Sequence, residues 1–195
     1  MSYKEIQEIL LEEGAARFGN CKDWHDYVDS RRAVYAQLAE GQLENNMISE
    51  ANWIMRAKQR SAEDFGIYIE PGDICFMDFG QAYINEMGYQ HFGLVMSVCE
   101  KKALVIPMTS NPVQYARAYD PVHNPAGRKH LMRIGKPQGM ARPSVLFLND
   151  LKFVNTARVI NPQSWIDPEG ELFREVQRRM TEVMFSGIQT PSFLS

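Results

Sequence analysis

Apolar positions recur along this chain with two different periods. In the first sixty residues the period is helical. Ser2 and Glu5 have capping-box spacing and precede Ile6, Ile9 and Leu10. Asn20 and Asp23 then open a second helix, with Trp24, Tyr27, Val28, Val34, Tyr35 and Leu38 at helical spacing and Gly41 as its stop. A third helix is predicted from Ser49 to Lys58, carrying Trp53, Ile54 and Met55. Aromatics at such spacings read as core, and no chemistry attaches to them.

The pattern changes at Phe65-Gly66. From there the apolar runs are short, β-branched and punctuated by Gly and Pro, which predicts strands. They fall at Ile74–Phe79, His91–Cys99, Ala103–Met108, Leu131–Ile134, Ser144–Leu148 and Ala157–Ile160. The middle of His91–Cys99 is continuously apolar, as in a strand buried on both faces. Asn111 to Gly127 reads as irregular. Six short strands in succession suggest a small closed or half-closed barrel. Asp167-Pro168-Glu169 starts a last helix, with Leu172, Phe173, Val176, Met180, Val183 and Met184 as its stripe and Gly187 as its stop. The expected class is therefore α+β: a small β-barrel with a C-terminal helix over residues 66–195, preceded by a short all-α extension over residues 1–65.

Composition adds bounds. The chain has 195 residues, 45% hydrophobic and 23% charged, enough to bury a core without disulfides or metal staples. A net charge of −3 excludes a wholesale basic nucleic-acid binder. That average hides a contrast. Residues 1–66 carry 8 basic and 12 acidic side chains, whereas residues 101–160 carry 10 basic against only Asp120 and Asp150. The basic segment reads either as solvated loops or as a surface for an anionic ligand. Cys21, Cys75 and Cys99 are odd in number and lack metal or redox spacing; Cys75 and Cys99, in apolar runs, read as small buried hydrophobes. A reducing cytoplasm is expected, with no metal site, no cofactor, no signal peptide and no membrane span.

The candidate chemistry gathers at strand ends. Glu86 lies in the connection Tyr83–Gln90, His91 begins the next strand, and Thr109-Ser110 follows the third strand after Pro107. Such placement fixes side chains on a rigid frame. Spacing alone also allows an exposed loop carboxylate, a hydrogen-bonded histidine and a turn-closing hydroxyl pair.

The runs IEPGDICFMDFG, INEMGYQHFGLVMS and ALVIPMTS, followed by ARPSVLFLNDLKFVNTARV, resemble in order the PemK/MazF family of toxin ribonucleases from bacterial toxin–antitoxin pairs. The resemblance spans roughly residues 69–185 and leaves residues 1–65 without a counterpart. It implies an SH3-like β-barrel, a homodimer, an antitoxin partner and metal-independent cleavage of single-stranded RNA. It maps the family's loop Glu onto Glu86, its Arg onto His91, and its Thr/Ser onto Thr109 and Ser110. The Pro after that Arg becomes Phe92, and the Gly-Ser of the loop becomes Ile84-Asn85. Substrate-binding candidates are Tyr89, Gln90, Asn111, Arg142 and Ser144, with Tyr83, Phe92 and Tyr115 as further stacking platforms and Arg142 the foremost basic residue. In the implied reaction Glu86 is the base, His91 the acid, and Thr109 or Ser110 a donor to the phosphate. The alternative is a catalytically weakened module that binds RNA or a protein without cutting. A third reading gives the acidic helical extension the leading part, as an inhibitor of the basic barrel or an oligomerisation device; the ordinary alternative is an elaboration that extends the core.

Overall fold

The computed structural model describes residues 22–186. The expected helix after Ser2, Cys21 and the Gly187 stop lie outside the described residues. By its contacts the chain forms two compact units, Met1–Glu44 and Asn45–Ser195.

In the first unit, α1 (Lys22–Tyr35) buries no residue. Trp24 and Tyr27 are 41% and 53% exposed and lie against each other, ring centroids 5.6 Å apart. The reading of these aromatics as core is overturned. Their helical spacing marks a face but not a partner for it. Gly41 stops nothing: the next helix, α2 (Glu40–Arg56), already contains it. A helix tolerates one exposed glycine at about 1 kcal/mol.

The second unit is built on seven antiparallel strands: β1 (Asp73–Asp78), β2 (Gln90–Cys99), β3 (Lys102–Thr109), β4 (Leu131–Gly135), β5 (Ser144–Phe147), β6 (Lys152–Asn155) and β7 (Val159–Trp165). Helix α3 (Pro112–Arg117) interrupts the segment expected to be irregular, and α4 (Glu171–Met184) ends the described fold. Asn111 caps α3, accepting from Val113 N at 2.8 Å. Helix α4 begins at Glu171 with Gly170 as its N-cap. Asp167 instead closes a turn by accepting from Glu169 N.

The class is α+β, but the sheet does not close into a barrel. The ladder runs β4-β5-β3-β2-β1-β7, with β6 paired to β3 off this path. One edge of β3 is divided between β6, at Lys102–Val105, and β5, at Met108–Thr109. Strand β6 ends at Asn155, whose side chain accepts from Ala157 N and turns the chain into a 3₁₀ turn, Thr156–Arg158. The chain itself, not a ladder, joins β6 to β7.

Side chains of the central strands alternate between two cores, as the pleat requires. Ile74, Leu94, Met96, Ile106 and Met108 face one core, which Phe173 and Val176 of α4 complete. Cys75, Met77, Val95, Ala103 and Val105 face the other, under Ala62, Ile67 and Ile69. Both faces are thus covered, which explains the unbroken apolar run Gly93–Met96. Cys75 is buried, and burial pushes its thiol up to about 12. Cys99 is exposed at the strand end, against expectation, because β2 outruns its cover there. Among the described residues no helix is long and apolar enough to cross a membrane.

Candidate functional site

The loop from Phe79 to Tyr89 carries Glu86. Its ends are drawn together where Tyr89 N donates to Gly80 O and Phe79 N to Tyr89 O. A Cβ at Gly88 would lie 2.5 Å from that of Ala82, so only glycine allows this approach. Tyr89 takes a left-handed conformation, φ 58°, uncommon for a bulky residue. Its hydroxyl accepts from Asn46 Nδ2 at 2.8 Å, which helps hold that conformation. The loop is also gripped by its main chain. Met87 N donates to Asp150 Oδ2, and Lys152 Nζ donates to Met87 O at 3.3 Å while pairing with Asp150 at 3.6 Å.

Within this frame Glu86 is exposed, and its carboxylate accepts from Tyr83 N at 3.2 Å. His91 is half-buried on β2 beside Met77 of β1. Burial pushes its imidazole below the usual histidine range, since desolvation penalises the cation. The β2–β3 register pairs Phe92 with Met108.

A cleft of about 260 Å³ opens beside the first core. It gathers Thr109 and Ser110 from the end of β3, Ser144 from β5, Arg142 from the β4–β5 loop and Phe92 from β2. Thr109 Oγ1 accepts from Asn111 N at 3.2 Å, which leaves its O–H able to donate. Ser144 is buried and its hydroxyl donates to Arg142 O at 3.3 Å. Arg142 is exposed and makes no ion pair among the described residues. Three hydroxyl residues, an arginine and a phenylalanine on an open cleft suit a phosphate and a base together.

The remaining candidates do not line this cleft. Glu86 stays on its loop, and His91 alternates to the opposite face of β2 from Phe92. Asn111 caps α3, Tyr89 is tied to Asn46, and Gln90 Nε2 donates to Asp78 Oδ2 at 2.7 Å. Of the expected stacking platforms, Tyr83 is 86% exposed, whereas Tyr115 lies under Arg133, 5.0 Å from the ring centroid. Three of the basic segment's cations are occupied by the fold: Arg133 pairs with Asp120, Lys152 with Asp150, and Arg158 donates to Asp78 O.

No family model matches the sequence, and no curated protein matches it. Solved structures similar to this chain include two of MazF. One is MazF from Deinococcus radiodurans, 13% identical, covering 60% of this chain and 97% of that one at a TM-score of 0.44. The other is MazE-MazF from the same organism, 13% identical, covering 60% and 96% at a TM-score of 0.40. At that identity the functional argument rests on the residues themselves.

Sequence reasoning missed the group that holds the start of β2 in place. Asp78, at the end of β1, is 5% exposed. Its Oδ1 accepts from Ser49 Oγ at 2.7 Å and Gly80 N at 2.8 Å; its Oδ2 accepts from Asn52 Nδ2 at 3.0 Å and Gln90 Nε2 at 2.7 Å. Four donors match the lone pairs of a buried carboxylate. Nothing in spacing announces this, since two donors come from more than twenty residues upstream.

Proposed function

We propose that this chain is an endoribonuclease that cleaves single-stranded RNA without a metal, the toxin of a toxin–antitoxin pair acting in the cytoplasm as a homodimer. The observation that carries the reading is the cleft, where Thr109, Ser110, Ser144, Arg142 and Phe92 converge. Its chemistry is that of a nucleotide site, and the order of motifs around it is similar to that of the PemK/MazF toxins.

In this reading an RNA strand crosses the entry of β2, with its base against Phe92 and a phosphate held by Arg142 and the Thr109 hydroxyl. Glu86 and His91 lie off the cleft lining, so cleavage requires the bound strand to extend from the cleft to both of them; there Glu86 takes the proton of the 2′-hydroxyl as that oxygen attacks phosphorus. The bond from phosphorus to the 5′-oxygen breaks, and His91 supplies the proton to that leaving oxygen. The products are a 2′,3′-cyclic phosphate and a 5′-hydroxyl end. Because burial lowers the His91 pKa, the proton-donating form fills only on the acid side of the usual imidazole range. The rate should therefore peak at acidic pH.

Burial of His91 and the separation of Glu86 from the cleft lining favour a second reading, in which the cleft binds RNA without cutting it. One experiment separates them. The full chain is incubated with single-stranded RNA in the presence of EDTA, alongside Glu86→Gln and His91→Ala. Cleavage that both substitutions reduce by about 10²–10⁴-fold supports the nuclease. Cleavage that His91→Ala leaves intact removes it from the mechanism. Binding that Arg142→Ala weakens, without cleavage by the native chain, establishes the second reading.

A further inference from the structure

Beyond Glu44, helix α2 is docked with its polarity inverted. The face against the sheet is polar. Asn46 and Ser49 are buried there, Ser49 and Asn52 donate to Asp78, and Arg56 donates to Ala157 O and Val159 O at 3.0 and 2.8 Å. The opposite face is apolar and exposed: Met47 59%, Ile48 45%, Ile54 47% and Met55 43%, around a half-buried Ala51. Positions 47, 48, 51, 54 and 55 form one continuous helical stripe. A helix normally turns such a stripe to the core. Here the core side is taken by the Asp78 clasp, and the stripe has no cover among the described residues of its unit.

The stripe carries a symmetry that identifies its occupant. Met-Ile-x-x-Ala-x-x-Ile-Met reads the same in both directions about Ala51. If a second copy lies antiparallel across it, Met47 meets the second copy's Met55, Ile48 its Ile54, and Ala51 itself. This reciprocity is what a two-fold interface demands, and a partner of unrelated sequence would give no reason for it. The small central residue lets two helix axes approach while the larger side chains interlock on either side.

We propose that this stripe is a homodimer interface, in which α2 packs antiparallel against α2 of a second copy about a two-fold axis at Ala51. The four large side chains expose on the order of 400 Å² per copy, about half of what one side of a standard interface buries. An interface of that size makes a reversible dimer. The interface is one that the homodimer of the proposed function can use, but it rests on the stripe alone; the cleavage assay and the cross-linking below test the two separately, and either can fail without the other.

The test uses the full chain with Cys21→Ser and Cys99→Ser, leaving the buried Cys75 in place. Under mild oxidation Ala51→Cys should cross-link to itself. Met47→Cys should cross-link to Met55→Cys in a mixture, and far less to itself, because antiparallel packing sets two copies of residue 47 about 12 Å or more apart. Sedimentation equilibrium of the native chain should show a concentration-dependent dimer. Ala51→Glu should weaken that dimer at least tenfold with helicity unchanged by circular dichroism. A chain that stays monomeric at several hundred micromolar overturns the proposal, whatever else covers the stripe. So does a dimer that ignores Ala51→Glu and yields no Ala51→Cys cross-link, since it must use another surface. Efficient self-cross-linking of Met47→Cys overturns the antiparallel arrangement.

Discussion

Helix α4 meets the sheet with its apolar stripe, whereas α2 meets it with a polar one. Phe173 and Val176 of α4 enter the first core, with Leu172, Met180 and Val183 packed at its edge. That docking is non-directional and scales with the area removed from water. The docking of α2 rests instead on a buried carboxylate with every acceptor position filled, and on a guanidinium whose charge is partly desolvated. Such a junction is directional, and it is strong only while all its members are present. The difference shows that amphipathic periodicity marks a helix without saying which face will be buried.

Substitutions can break this contrast at either helix. Phe173→Ala should be the most costly, about 3–5 kcal/mol from lost burial and an unfilled cavity, read from the urea midpoint. Asp78→Asn keeps the shape but sets an amide against its donors, at about 2–3 kcal/mol. Native-state hydrogen exchange should then show opening of α2 beyond Glu44 while α4 stays protected; equal loss in both helices would dissolve the distinction. Ser49→Ala removes one of the four donors and should cost about 1 kcal/mol.

A pH series sharpens the comparison further. His91 adjoins Gln90 of the clasp, and its folded pKa lies below its unfolded one because of burial. The unfolded chain thus takes up the proton first. The contribution of His91 is fully present above about pH 6.5 and shrinks as pH falls toward the lowered folded value. His91→Leu should remove that part of the acid slope in urea midpoints. The smallest effect belongs to Arg178, which joins Glu175 and Glu182 on the exposed side of α4. Arg178→Ala should leave the midpoint unmoved, because such pairs are screened by solvent.

Much of the sheet was legible because β1, β2 and β3 are apolar on both faces, a pattern that turns and helices do not produce. Strand β6 was not, since Lys-Phe-Val-Asn buries only Val154 and sits between turn-like residues. The start of α2 was hidden by Gly41, and its orientation by the convention that apolar faces turn inward. Thr109-Ser110, at the end of the third strand, and Arg142, at the entry of the Ser144 strand, were legible from their places at strand ends, and the structure lines one cleft with them and with Ser144. The clasp at Asp78 was illegible, because a lone Asp at a strand end has the look of a turn residue.

The grip on Met87 has a consequence for how this molecule can change. Asp150 and Lys152 hold the loop by a main-chain N–H and a main-chain carbonyl, groups that every residue except proline offers alike. The anchor is therefore blind to side-chain identity. Exchanging the exposed Tyr83 and Ile84, by drift or by grafting, leaves that anchor intact, so the Glu86 loop stays displayed from the same place, set by Asp150 and the first residue of β6.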